Sequence, residues 1–188
     1  MADILLVLVG AALTNNVVLM QSLGVSTTLA TSDSLLRATA TSVMTMVVTT
    51  LAAALLWPLQ HLLLQPYDLT FLRVPVYLLV IAVLAVAGAL LLRVYRPLWQ
   101  RSLAALLPLV TVNSAVVGTL LTSDAQQHGF GTAVIYGFST AAGFALVQVM
   151  LAALLQRLRF NDGPAALQGV GITLLTVALM SLAFMGLA

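Results

Sequence analysis

No cysteine, no lysine and no glutamate occur in the 188 residues of this chain. The missing cysteine excludes disulfides, thiol chemistry and thiolate ligation of a metal, and it leaves the redox compartment unmarked. Without Lys or Glu the whole charge rests on seven arginines and five aspartates, 6% of the residues, for a net +2. A soluble domain carries about 25% charged residues, so this composition excludes one. Seven scattered arginines form no basic stripe that could track phosphates, which excludes nucleic acid as a partner. A positively charged leader is missing too. The chain opens Met1-Ala2-Asp3 and runs directly into apolar sequence, so the first apolar run is expected to stay as a span rather than be removed as a signal peptide.

What is present is hydrophobic: 62% of the residues, with a mean hydropathy of +1.13. A helix needs about 20 apolar residues to cross hydrocarbon, where unpaired backbone groups find no partner. Six segments reach that length, near Ile4–Leu23, Ala38–Leu64, Val74–Leu92, Leu103–Leu121, Ala133–Leu155 and Val170–Leu187. The connections between them are too short for a soluble domain. The expected fold is therefore an all-α integral membrane protein, a single transmembrane domain over 1–188 embedded in lipid.

With six spans the loops alternate sides. The connections near 24–37, 93–101 and 156–168 share a side and carry Arg37, Arg93, Arg96, Arg101, Arg157 and Arg159, whereas the opposite side carries only Arg73. By the positive-inside rule those three loops are cytoplasmic and both termini lie outside the cytoplasm.

Two polar clusters interrupt the apolar runs. Thr111 follows Thr14, and Asn113 follows Asn16, at the same offset of 97 residues. Applied to the whole chain, that offset lays the first span on the fourth, overlaps the second with the fifth, and lays the third on the sixth. The chain thus reads as two three-helix repeats, 1–97 and 98–188. An odd number of helices per repeat inverts the second relative to the first, a plan that places sites near mid-membrane at the repeat interface.

Asn15, Asn16 and Asn113 sit near the middle of their spans, where an amide must find protein or water partners. Pro108 removes one backbone donor and is expected to free a carbonyl about a turn earlier. One reading is a pair of helices interrupted at mid-membrane whose ends hold a cofactor or line an ion path. The other is hydrogen-bonded glue between helices. Symmetric placement favours the first, with Asn15, Asn16, Thr111 and Asn113 as its lining.

Gly137, Ser139, Ala141 and Gly143 read as a close-packing stripe, and Met44, Met46, Met150, Met180 and Met185 as core filler. His61 and His128 fall near span ends, as interfacial residues do. A serine hydrolase is excluded by the lack of a histidine beside a serine at depth and of a nucleophile elbow. No Asp or Glu lies inside a predicted span, which excludes an intramembrane carboxylate relay.

Leu107-Pro-Leu-Val-Thr-Val-Asn-Ser-Ala-Val-Val-Gly118, Tyr136-Gly-Phe-Ser-Thr-Ala-Ala-Gly-Phe-Ala-Leu-Val147 and Leu179-Met-Ser-Leu-Ala-Phe-Met-Gly186 resemble the RnfA family, membrane proteins of the Rnf complex, the bacterial ion-translocating ferredoxin:NAD oxidoreductase. Asn15-Asn16-Val-Val-Leu, Leu23-Gly24 and Tyr67-Asp-Leu-Thr-Phe-Leu-Arg73 extend the resemblance over essentially the whole chain. It implies a six-helix subunit of the bacterial inner membrane with periplasmic termini, inactive alone, in a redox-driven translocase that couples electron transfer between ferredoxin and NAD to movement of Na⁺ or H⁺. It implies partners: RnfE, of similar fold and opposite orientation, and RnfB, RnfC, RnfD and RnfG, with flavins and iron-sulfur clusters on these other subunits.

The resemblance also implies a [2Fe-2S] cluster shared with RnfE, each of the two proteins giving two cysteines. Here those positions are Ser26 and Ser114. Either serine ligates iron, or the cluster is absent from a natural lineage, or cysteine was removed by engineering. Two other functions are weighed beside the redox complex. A free-standing small-solute transporter would act without redox partners, and a purely structural subunit would only seal and orient them.

Overall fold

A computed structural model describes residues 8–95, 106–158 and 169–186. Every regular element among them is helical. The α-helices are α1 (Val25–Thr31), α2 (Leu35–Leu59), α3 (Arg73–Tyr95), α4 (Leu107–Thr111), α5 (Ser114–Ala125), α6 (Phe130–Leu158) and α7 (Val170–Met185). Gly10–Thr14 and Gln60–Leu64 are π-helical turns, and Thr70–Leu72 is a short 3₁₀ turn. Arg96, Arg101 and Arg159 lie outside the described residues.

Three helices are long and apolar enough to cross a membrane: Leu35–Leu64, Thr70–Leu90 and Phe130–Leu158. These are the second, third and fifth predicted spans. Val170–Met185, at 16 residues, is a shorter apolar helix in place of the sixth. The first and fourth predicted spans are the broken ones. Turns occupy Asn15–Gly24 between the opening π turn and α1, and Val112–Asn113 separate α4 from α5.

Lipid supplies no hydrogen bonds, so hydroxyls on these helices return to their own backbone. Thr49, Thr50, Thr119, Thr173 and Thr176 each donate to the carbonyl four residues earlier. On α3, Tyr77, Ile81 and Ala85 repeat every four residues and face inward, while Leu79, Val83, Val86 and Leu90 are exposed. A helix apolar all round is one that expects hydrocarbon on its outer side.

The core has two parts joined through α6 and α5. One gathers Val17, Val18 and Leu19 of the first break with Phe144 and Val147 of α6 and Met180 of α7. The other packs Val48 and Ala52 of α2 against Ile81 of α3, Val110 of α4 and Val116 of α5. Small residues on α6 permit this closeness. A methyl group at Gly137 would meet Ala53 Cβ at 3.0 Å, and one at Gly143 would lie 2.5 Å from the Ala12 carbonyl oxygen. The predicted packing stripe is therefore a packing stripe.

Several expectations are corrected. The stretch 24–37 is not simply a connection, because Gly24 takes a left-handed conformation (φ 76°) and starts α1 after the apolar run has ended. Pro108 sits in the first turn of α4, where a missing N–H costs nothing, so it opens a helix rather than freeing a carbonyl within one. The fourth span runs past Leu121 to Ala125, which brings Asp124 into its last turn. Of the methionines, Met180 is core, whereas Met150 and Met185 are exposed.

Candidate functional site

The two breaks are built alike. Thr14 Oγ1 donates to the Gly10 carbonyl at 3.0 Å, and Thr111 Oγ1 donates to the Leu107 carbonyl at 2.9 Å. Two residues on in each case, an asparagine turns the chain. Asn16 Oδ1 accepts from the Val18 N–H at 3.0 Å, and Asn113 Oδ1 accepts from the Ala115 N–H at 3.0 Å. Asparagine does this because its short amide can mimic a backbone carbonyl two residues along. At Asn113 the same bond caps the start of α5. Asn16 is tied further by Nδ2 donating to the Ala12 carbonyl at 2.8 Å.

The breaks also touch. The Gly24 N–H donates to Ser114 Oγ at 2.8 Å, and Thr27 Oγ1 donates to the Leu109 carbonyl at 3.4 Å. Gly24 is required here for space as well as for its φ. A Cβ would come within 2.8 Å of both Ala115 Cβ and Phe144 Cε2, and 3.0 Å from Asn113 Oδ1. Phe144 forms the floor of the crossing at the middle of α6, so the contact lies halfway along the longest helix.

Asn113 and Ser114 are thus brought against Gly24, with Ser26 in the first turn of α1. Asn113 is fully buried and its Nδ2 has no hydrogen-bond partner, whereas Ser26, Ser114 and Val112 are exposed. The crossing is closed on the α6 side and open on the outer face of the chain. Asn16 is buried, but its bonds are all local. Asn15 points away, its Oδ1 accepting from Gln21 Nε2 at 3.2 Å on the surface. Thr111 is half-buried and spends its hydroxyl on Leu107. Among the described residues no group of His, Asp and Glu is arranged to hold a metal ion.

Sequence reasoning missed Gln148. It is fully buried on α6, where Oε1 accepts from Ser42 Oγ of α2 at 2.9 Å and Nε2 donates to Thr31 Oγ1 of α1. This clamp fixes the second half of the first broken helix against the two longest packed helices. Its signal was available, since an amide in the middle of an apolar run of 29 residues must find partners inside the protein.

A multi-helix bundle with two broken helices bonded to each other at its centre is an integral membrane protein of the class that keeps irregular backbone only where protein or a polar path surrounds it. The chain belongs to the Rnf-Nqr family: the family model described as "Rnf-Nqr subunit, membrane protein" matches residues 4–188. It is 42% identical over 186 residues to RnfA of the ion-translocating oxidoreductase complex of Edwardsiella ictaluri (strain 93-146), covering 99% of this chain and 96% of that relative. The corresponding protein of Aromatoleum aromaticum is 42% identical over 188 residues, covering 100% and 97%. That of Yersinia enterocolitica is 42% identical over 186 residues, covering 99% and 96%.

Proposed function

We propose that this chain is the RnfA component of an Rnf-type complex, the membrane part of a redox-driven translocase that moves Na⁺ or H⁺ as electrons pass between ferredoxin and NAD. The chain catalyses nothing alone. Full-length likeness to relatives that bear this component's name supports the reading, and the observation that carries it is the bond from Gly24 to Ser114. That bond gathers polar groups of both broken helices where lipid could not serve them.

The surroundings follow from the same reading. The arginine asymmetry supports an inner-membrane setting with periplasmic termini. The paired threonine and asparagine bonds support two inverted repeats, 1–97 and 98–188. The open face at Ser26, Ser114 and Val112 is where RnfE, the nearest partner, docks; RnfB, RnfC, RnfD and RnfG complete the assembly and carry its flavins and iron-sulfur clusters.

The residues at the crossing do not fit a [2Fe-2S] cluster. Iron in such clusters is held by thiolates, and a serine hydroxyl gives up its proton far less readily than a thiol. Ser114 Oγ already accepts the Gly24 N–H. No electron step is therefore routed through iron on this chain, and its contribution is the polar crossing itself. The test is iron and sulfide quantification with low-temperature EPR on this chain co-purified with RnfE alone. The expected result is an intact pair without iron. Stoichiometric iron with a reduced [2Fe-2S] signal overturns the donor-set argument, and normal ion pumping by a complex lacking this chain overturns the assignment to the complex.

A further inference from the structure

Away from the crossing, four helix ends enclose a second polar site. It lies where α2 ends in its π turn, α3 begins, α5 ends and α6 begins. The cavity measures about 20 Å³ and is lined by Gln60, His61, Tyr77, Ser123, Asp124 and His128 among apolar neighbours. That is room for about one water-sized species.

The lining is fixed by its own bonds. Trp57 Nε1 donates to the His128 carbonyl at 2.9 Å, and the Trp57 ring stacks on His61 at 4.4 Å between centroids. Ser123 Oγ and His128 Nδ1 are 3.3 Å apart. Arg73 Nη1 donates to Asp124 Oδ2 at 2.6 Å, which leaves Oδ1 unclaimed among the described residues. Gln60 is 3% exposed, yet its Oε1 accepts from nothing. A buried carbonyl oxygen without a donor costs about 1–3 kcal/mol, so its persistence at a cavity wall points to an occupant. What the pocket offers that occupant is hard oxygen: an amide, a carboxylate, a hydroxyl and a phenol, the ligand type that suits small, unpolarisable cations.

We propose that this pocket binds a small monovalent cation, with Gln60 Oε1 and Asp124 Oδ1 as its anchoring ligands. A carboxylate has lone pairs enough to serve Arg73 and a cation together. Sharing with a guanidinium makes the site weak, in the millimolar range, which is what conduction asks of a stopping point that an ion must also leave. As a port for a translocated ion the pocket rests on the function proposed above. As a binding site it does not, so loss of pumping and loss of binding can be told apart.

The experiment is a NaCl titration of the full-length chain in nanodiscs, with choline chloride holding ionic strength constant. Trp99→Phe leaves Trp57, in the pocket wall, as the only indole. A saturable change in Trp57 emission is expected at millimolar Na⁺. Gln60→Leu, which removes an unpartnered buried amide and keeps the Arg73–Asp124 pair, should raise the apparent Kd at least tenfold. Arg73→Gln should lower it severalfold, because it removes a competing charge; an ion pair of structural value only would not tighten Na⁺ binding when cut. No response beyond choline, as a trapped water would give, or an unchanged response in Gln60→Leu, overturns the proposal.

Discussion

The backbone N–H of Gly24 donates to the hydroxyl of Ser114 at 2.8 Å across 90 residues of chain. This one bond ties the start of α1 to the start of α5 and decides where the two broken helices meet. Gly24→Ala strikes it twice. The left-handed φ costs a residue with Cβ about 1–2 kcal/mol, and the contacts at 2.8 Å to Ala115 and Phe144 add an overpacking cost of about 1–3 kcal/mol. Ser114→Ala only orphans the buried Gly24 N–H, for about 1–3 kcal/mol. Thermal unfolding in nanodiscs should therefore rank Gly24→Ala below Ser114→Ala, and both below wild type. Equal stability of Gly24→Ala and wild type would show that the crossing is looser than its distances.

Much of this architecture is legible from apolar run lengths alone, because hydrocarbon forces helices of a fixed minimum length on any chain that crosses it. The two interruptions are legible as well, since Asn16 and Asn113 stand where only a broken or partnered backbone tolerates them. The extent of the first break is not. Apolar periodicity ends at Leu23, and nothing local announces that Gly24 will start a further helix whose Thr27, Thr28 and Thr31 are buried. Asn15 reads as part of the site yet lies on the surface bonded to Gln21, because one residue of turn reverses its direction. The pairings of Arg73 with Asp124 and of Gln148 with Thr31 span 51 and 117 residues. Such contacts are set by how helices pack, which no single segment encodes.

Gln148→Leu tests how much the buried clamp is worth. Both partners have local alternatives: Thr31 Oγ1 already donates to the Thr27 carbonyl at 2.9 Å, and Ser42 can turn to the carbonyl four residues earlier. Polar pairs between membrane helices average about 0.6 kcal/mol. The expected loss is about 1 kcal/mol in thermal or SDS unfolding, smaller than for Gly24→Ala. Cysteine accessibility at α1 should rise, since Gln148 is what holds α1 to α6 through a side chain. A loss above about 3 kcal/mol would mean the fallback bonds do not form.

Acid should destabilise the loop between α5 and α6. Burial pushes the His128 ring below its ordinary value, so the folded chain resists the proton that the unfolded chain accepts at about pH 6.5. Between the lowered folded value and the ordinary one the unfolded state binds more protons, and stability rises with pH through that window. Melting temperature is expected to be flat above about pH 6.5 and to fall below it. His128→Gln should flatten the acid limb while retaining the carbonyl that accepts from Trp57. An acid limb of equal slope in the variant would assign it to another group.

Asn113→Leu separates stability from function. The substitution removes the Oδ1 cap on the Ala115 N–H, a loss of about 1 kcal/mol. It also removes a buried Nδ2 that has no partner, and with it a penalty of about 1–3 kcal/mol. The two nearly cancel, and leucine suits a membrane helix, so insertion and melting should stay close to wild type. If the crossing of the broken helices is the polar path or the seat of RnfE, the complex should nevertheless lose coupled ion transport in vesicles, or fail to assemble. Normal pumping by a fully assembled Asn113→Leu complex would reduce this asparagine to a helix cap and remove the crossing from the mechanism.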